Sequence, residues 1–147
     1  MIETIRTLFN RDLNRLKIEI ESYQNESKIW YIEKSISNSA GNLCLHLIGN
    51  LNTYIGAQIG KTNYIRNREL EFSNKDVPKA LLLTQIETTI QIINDSLTIL
   101  ADEDLKKEYP ILVFETKTST EFLLIHLTTH LAYHLGQINY HRRLLDS

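Results

Sequence analysis

The apolar residues near the start of the chain recur every three or four positions, with charged residues between them. They are Ile5, Leu8, Phe9, Leu13, Leu16 and Ile20. This spacing places them on one face of an amphipathic helix, which we predict over roughly residues 2 to 23. Ser37, Asn38 and Ser39 are of the types preferred at helix N-caps, so a second helix is predicted to begin near Ser39 and to end at Gly60.

Two further helices are predicted in the second half of the chain. Apolar residues at alternating spacings of four and three indicate a third helix over about Val77 to Ala101, with a seam typical of helix bundles. Thr118 and Glu121 have the spacing of a capping box. Thr118 is therefore the predicted N-cap of a fourth helix that runs to about Leu145.

The connections before and after the third helix are long. The first of them, Lys61 to Lys75, is rich in charge, and we predict a solvated loop there. The second, residues 102 to 117, contains the apolar run Tyr109 to Phe114, which is too short for a helix and is predicted to form an extended strap over one end of the bundle. Together the elements predict an all-α fold, a four-helix bundle, as a single domain over residues 1 to 147.

Composition narrows the classes of function. The net charge of -2 and a 23% share of charged residues do not favour nucleic acid as a partner. Cys44 is the one cysteine, which excludes an intramolecular disulfide framework and favours a reducing compartment. The stretches Ser35 to Gly60 and Phe122 to His141 lack charge but contain too many polar residues for a membrane span. With no signal-peptide pattern at the N-terminus, we expect a cytoplasmic protein.

Histidine is concentrated in the fourth predicted helix. His126, His130 and His134 are four residues apart, so their side chains share one face, which borders the apolar face of the helix. Two imidazoles one helical turn apart can bind the same divalent ion, although such pairs also occur as ordinary hydrogen-bonded histidines. A third ligand has to come from another element, and His46 is the one histidine outside this helix.

Two known kinds of metal site do not match this pattern. The segment His130 to His134 lacks the Glu that serves as general base in the zinc protease motif. Di-iron bundles use glutamate ligands, and the histidine face contains none. We therefore expect neither a metalloprotease nor a di-iron protein.

Two segments of the chain resemble the DinB-like superfamily of four-helix bundles. One is Leu43 to Leu51, with a lone histidine on the second helix, and the other is His126 to Ile138, which ends in His-x-Gly-Gln-Ile. The segment Arg66 to Phe72 is similar to one branch of small proteins in that superfamily. The resemblance spans nearly the whole chain and implies a bundle of this type.

The resemblance also implies a metal site and a type of chemistry. Carried over by position, the ligands of a divalent ion (zinc, nickel or iron) would be His46, His130 and His134. Relatives include thiol-dependent transferases that use bacillithiol or mycothiol, and a maleylpyruvate isomerase. A low-molecular-weight thiol cofactor, a small-molecule substrate and a homodimer are therefore expected, with no nucleic acid or membrane partner.

Several polar residues are candidates for further roles at such a site. His126 could act as a general base, or could be a packed histidine. Gln137 and Asn50 could orient a ligand or polarise a substrate, or could simply line the bundle. Arg66 and Arg68 could bind the carboxylate of a thiol cofactor or of an acidic substrate at the bundle mouth, or could belong to the solvated loop.

Other residues near these motifs have simpler explanations. His141 is favoured near the end of its helix by the helix dipole. Cys44 points well away from His46 on the second helix and is interpreted as a small core residue. Tyr54, Tyr133 and Tyr140 are expected to pack or to form an interface.

Two functions from different classes follow. The first is a metal-dependent thiol S-transferase or hydrolase, in which three imidazoles leave one coordination position open. The second is a non-enzymatic metal-binding, interaction or stress protein with a structural or vestigial site. A fourth protein ligand, for which His126 is the nearest candidate, would close the site and favour the second function.

Overall fold

Four long helices and one short helix build the protein. The computed structural model describes residues 1–146. The elements are α1 (Ile2–Glu21), α2 (Ala40–Leu51), α3 (Arg68–Ser73), α4 (Lys79–Thr98) and α5 (Thr120–Leu145), and α2 continues into a π-helical turn at Asn52–Ala57. The predicted all-helical class is confirmed, and the arrangement agrees with a helical bundle. No helix within residues 1–146 combines the length and the apolar character that a membrane crossing requires.

The order of the helices around the bundle brings the histidine-bearing helices together. α1 packs against α4 and α5, and α2 packs against the same two helices. α1 and α2 therefore lie on a diagonal of the bundle, while α2 and α5 are neighbours. His46 on α2 and the histidine face of α5 consequently belong to one helix pair.

The apolar faces meet in one continuous core. It includes Phe9 and Leu16 from α1, Leu47 from α2 and Leu131 from α5, all of them fully buried. Cys44 is also fully buried, and burial raises the pKa of its thiol to about 12. The prediction of Cys44 as a small core residue is confirmed.

Each connection between the long helices contains a short helical segment. The first and third contain 3-10 turns at Glu26–Trp30 and Asp102–Lys106. In the third connection Tyr109 is fully buried and donates its hydroxyl hydrogen bond to the carbonyl of Tyr54. The apolar run predicted as a strap is thereby anchored to the π-helical turn that follows α2.

The prediction of a solvated loop over Lys61 to Lys75 is wrong for Arg68–Ser73, which form α3. α3 forms there because the Asn67 side chain accepts a hydrogen bond from the backbone N–H of Leu70, and because acidic residues occupy the first turn of the helix. α3 packs on α2. Glu71 is buried by this contact, whereas Arg68 and Glu69 are exposed.

The predicted capping box of the last long helix is displaced by one residue. Ser119, not Thr118, is the N-cap of α5, because its backbone is extended and its Oγ accepts a 3.1 Å hydrogen bond from the N–H of Phe122. The carbonyl of Thr118 instead accepts a hydrogen bond from the N–H of Tyr109 in the strap. The strap therefore determines where the helix can begin.

Ser119→Ala is expected to lower the free energy of unfolding by about 1 kcal/mol, because the N–H of Phe122 loses its acceptor. Thr118→Ala, the matched control, retains the backbone hydrogen bond of residue 118 and should change stability by less than about half of that. Urea denaturation of both variants measures the difference. Equal losses would contradict the assignment of Ser119 as the cap.

Candidate metal centre

Three histidines from two neighbouring helices converge beside the core. His46 comes from α2, and His130 and His134 come from successive turns of α5. One ring nitrogen of each lies within 4.8 Å of the others. His46 is buried, and the other two are half-buried. The structure thus brings together the three residues that the resemblance implied as ligands.

The spacing of the ring nitrogens suits a divalent ion. The Nε2 atoms of His46 and His130 are 3.3 Å apart. Two imidazole nitrogens bound to tetrahedral zinc at about 2.0–2.1 Å lie about 3.3–3.4 Å from each other. Imidazole is also a ligand type that zinc, nickel and iron accept. The three histidines could therefore hold such an ion.

A buried carboxylate orients His46. The Nδ1 atom of His46 lies 3.0 Å from Oε1 of Glu71, a residue that is only 6% exposed. We assign the ring proton to Nδ1, from which it is donated to Glu71, so that the lone pair of Nε2 faces His130. A hydrogen bond from the second ring nitrogen to a carboxylate is the usual outer support of a metal-binding histidine.

Arg66 holds the same carboxylate from the other side. Its Nε atom lies 2.8 Å from Oε2 of Glu71 and its Nη2 atom lies 2.9 Å from Oε1. Burial alone would raise the pKa of Glu71, but the hydrogen bonds from His46 and Arg66, with the charge of the guanidinium, outweigh it and hold this pKa below its ordinary value. Glu71 is therefore an ionised partner for both groups. Two of the Arg66 donor nitrogens are already engaged in this pair.

Glu71 is the functional residue that sequence reasoning missed. It belongs to a charged segment that was interpreted as solvated. One signal could have pointed to it, because a metal-binding histidine needs an acceptor for its other ring N–H, and carboxylates follow α2 in the chain. The sequence contains several such carboxylates, and only the docking of α3 on α2 distinguishes Glu71 from Glu69.

Gln137 orients His134 as Glu71 orients His46. Its Oε1 atom lies 2.7 Å from the Nδ1 atom of His134, one turn away on α5. An amide oxygen accepts hydrogen bonds, so Nδ1 carries the proton and Nε2 of His134 is left as the free nitrogen. Of the two roles weighed for Gln137, orienting a ligand is the one that its position supports.

His130 and His134 are neutral at physiological pH. Burial lowers the pKa of His130 to about 4, with further contributions from His134 and His46. Burial also lowers the pKa of His134, against the raising effect of its hydrogen bond with Gln137. Neutral imidazole is the form that binds metal ions, so protons do not compete strongly at these two positions.

His126 does not join the cluster. Its ring centroid is 6.2 Å from that of His130, and its ring packs edge-on against Phe114 at 4.8 Å. Among the residues that the structure describes, the group that could hold a metal ion consists of three histidines. His126 is packed against the strap, and it neighbours the site without being a candidate ligand.

A pocket of about 320 Å³ opens in front of His46 and His130. We call it the histidine pocket, and its lining residues are His46, Asn50, Tyr54, Arg66, Arg68, Val113, His126, Leu127 and His130. It therefore collects four of the five residues that sequence reasoning proposed for catalysis or cofactor binding. The fifth, Gln137, borders a second pocket of about 530 Å³, together with His134.

His141 forms two hydrogen bonds that the sequence did not predict. Its Nδ1 atom lies 2.6 Å from the hydroxyl of Tyr23 and its Nε2 atom lies 2.8 Å from the carbonyl of Tyr31. Both bonds fasten α5 to the connection between α1 and α2. Tyr133 and Tyr140, in contrast, are 65% and 64% exposed and do not pack in the core.

Gly49 allows Glu71 to approach α2. A β-carbon at this position would overlap the Glu71 carboxylate. Gly49→Ala is therefore expected to displace the carboxylate from His46 and Arg66 and to cost about 1–3 kcal/mol of folding free energy, the range for overpacking a filled site. Thermal or urea denaturation measures the loss.

Gly136→Ala is the matched control for this substitution. No atom lies within 4 Å of the place that a β-carbon would take at Gly136, which is also inside a helix. This variant should be stabilised by up to about 1 kcal/mol through helix propensity alone. A Gly49→Ala protein as stable as Gly136→Ala would contradict the close approach of Glu71.

The profile of a family described as "Protein of unknown function (DUF1572)" matches residues 2–147. No curated protein matches the chain.

Proposed function

The chain belongs to the DUF1572 family, and from its site we propose that it is a DinB-like protein that binds one divalent ion through His46, His130 and His134. The observation that carries the proposal is the convergence of three imidazole nitrogens from two helices within 4.8 Å. The resemblance of the histidine-bearing segments to DinB-like bundles supports the same assignment. We take zinc, nickel or iron as the ion.

The surroundings of the three rings support binding of a cation. Glu71 and Gln137 accept hydrogen bonds from His46 and His134, which directs the free nitrogens of these two rings toward the cluster. The ionised Glu71 adds a negative charge behind His46. Both features lower the cost of bringing a divalent ion among buried groups.

We further propose that the site is catalytic and that the protein is a thiol-dependent S-transferase or a hydrolase. Three protein ligands leave a coordination position open, and a bound ion would lower the pKa of a water or thiol there. The histidine pocket gives a small molecule access to His46 and His130. His126 and Asn50 line the same pocket and are placed to contact a substrate.

The structural alternative needs a closed site. A structural zinc ion usually has four protein ligands, and the group found within residues 1–146 has three. The packing of His126 against Phe114 argues against its use as the fourth ligand. These two observations make catalysis the better-supported proposal.

Metal analysis tests the proposal directly. The protein is purified without a histidine tag, and its zinc, nickel and iron contents are measured. We expect about one divalent ion per chain, the stoichiometry of a single site with imidazole ligands. A protein that contains no ion and does not take up Zn²⁺ or Co²⁺ after dialysis would overturn it. If an ion is bound, a panel of bacillithiol-type thiols with electrophilic acceptors is the first assay of turnover, and a panel without metal-dependent turnover would support the structural alternative.

A further inference from the structure

The histidine pocket carries positive charge on one side. Arg66 and Arg68 line it, and none of its lining residues within the described chain is acidic. Glu71 lies behind Arg66 and borders a separate pocket. The protein as a whole has a net charge of -2, so this cationic wall is a local feature and not part of a generally basic surface.

The two arginines differ in what they already bind. Arg66 uses Nε and Nη2 on the Glu71 carboxylate. Arg68 forms no ion pair with the described residues and is exposed, and its guanidinium lies 5.6 Å from the ring of Phe72. A guanidinium group matches the geometry of a carboxylate or phosphate, which it can bind through two hydrogen bonds. Arg68 is thus the cation that remains available to a ligand.

Phe72 connects Arg68 to the histidines. The ring of His46 lies 4.9 Å from the ring of Phe72, the same ring that Arg68 approaches. A ligand of a few carbon atoms bound at Arg68 can therefore reach the neighbourhood of His46. The two ends of such a ligand would be an anion and a group that binds the metal ion.

Asn50 supplies an independent sign of a missing partner. It is 7% exposed, it lines the histidine pocket one turn after His46, and its Oδ1 atom is enclosed without a hydrogen-bond partner among the described residues. A buried amide left unpaired costs about 1–3 kcal/mol, and native proteins rarely tolerate this without a ligand, a water or a functional reason. A hydrogen-bond donor on a molecule in this pocket would satisfy this oxygen, because an amide oxygen accepts hydrogen bonds.

We propose that the histidine pocket binds a small organic acid, whose carboxylate is bound by Arg68 and whose middle portion donates a hydrogen bond to Oδ1 of Asn50. The inference rests on the proposed metal site, because the other end of the acid is directed at the ion held by the histidines. The volume of about 320 Å³ is at the lower end for ligand pockets, which fits a small acid and not a macromolecule. The substrate or thiol cofactor of the protein is accordingly a carboxylate-bearing molecule.

A pair of thiols that differ in one group tests the proposal. The protein is loaded with Co²⁺ under argon, and the Co²⁺ affinity of each variant is measured first. 3-Mercaptopropionate and 3-mercapto-1-propanol are then titrated, with the cobalt–thiolate absorption band as the readout. We expect the carboxylate to bind at least about tenfold more tightly than the alcohol, the effect of a charge-assisted hydrogen bond.

Arg68→Gln should reduce this preference to about twofold or less, because the cation that recognises the carboxylate is gone. Arg143→Gln is the matched control, since Arg143 also lies over an aromatic ring, that of Tyr140, but does not line the histidine pocket. This control should keep the full preference. Equal binding of the two thiols to the unaltered protein, or a preference that survives in Arg68→Gln, would overturn the proposal.

An experiment on metal-free protein tests the acid pocket independently of the proposed metal site. ¹⁵N NMR follows the Asn50 side-chain amide and the Arg68 Nε–H while glutarate or 1,5-pentanediol is added to metal-free protein. Glutarate should shift these signals, and 1,5-pentanediol should not. If Co²⁺ fails to bind but glutarate shifts both signals, the proposed metal function fails while the acid pocket stands. If Co²⁺ binds and glutarate shifts neither signal, the acid pocket is wrong and the metal function stands.

Discussion

His130→Ala is expected to remove high-affinity metal binding, with a loss of more than about a hundredfold. Substitution of an outer-shell partner typically costs 10–100-fold in metal affinity, and the loss of one of three ligands should exceed that range. His130 is the central ring of the cluster, with edge-on contacts to His134 at 4.6 Å and to His46 at 5.1 Å. Titration of metal-free protein with Zn²⁺ against a chromophoric chelator measures the affinity.

His126→Ala is the matched control on the same helix. His126 is one turn before His130 but lies outside the group of three histidines. Its removal should change the Zn²⁺ affinity by less than about threefold, well below the effect of losing an oriented ligand. If His126→Ala and His130→Ala lose affinity equally, His126 is a fourth ligand and the site is a closed, structural one.

Glu71→Ala is expected to weaken both the fold and the metal site. Removing one partner of a buried ion pair costs about 3–5 kcal/mol, because the other charge is left unpaired. Arg66 is only half-buried, so we expect a loss near the lower end of that range. The affinity for Zn²⁺ should also fall about tenfold, since His46 loses the acceptor for its Nδ1 proton. Urea denaturation of metal-free protein and Zn²⁺ titration measure the two effects.

Two variants make this prediction specific. Glu69→Ala removes an exposed carboxylate from the same turn of α3 and should change neither quantity appreciably. In an Arg66→Ala background, Glu71→Ala should cost less stability than it does alone, because no unpaired guanidinium remains. If Glu69→Ala has the same effects as Glu71→Ala, the carboxylate beside His46 has no special role.

Part of the fold could be predicted from spacing along the chain, whereas contacts between distant segments could not. The helices α1, α4 and α5 are visible in the sequence because an amphipathic helix repeats its apolar residues at a fixed spacing. The pairing of His130 with His134 is visible for the same reason, since residues four apart share a helix face. The predicted N-cap of α5 is wrong by one residue, because the carbonyl of Thr118 accepts a hydrogen bond from the strap. Local spacing in the sequence does not reveal this contact between two segments.

The sequence by itself determined the helical class, the positions of the long helices and the presence of a histidine pair on one face of α5, because these depend on neighbours within a few residues. Tertiary structure alone decided that Glu71 is buried against Gly49, that it orients His46 and that it pairs with Arg66. Of the two arginines in the histidine pocket, Arg68 is therefore the one without an ion pair among the described residues. Glu71 and His46 are 25 residues apart in the chain. Their contact depends on the docking of α3 on α2, and burial of a charged group is set by the surfaces that meet around it and not by the residues on either side of it.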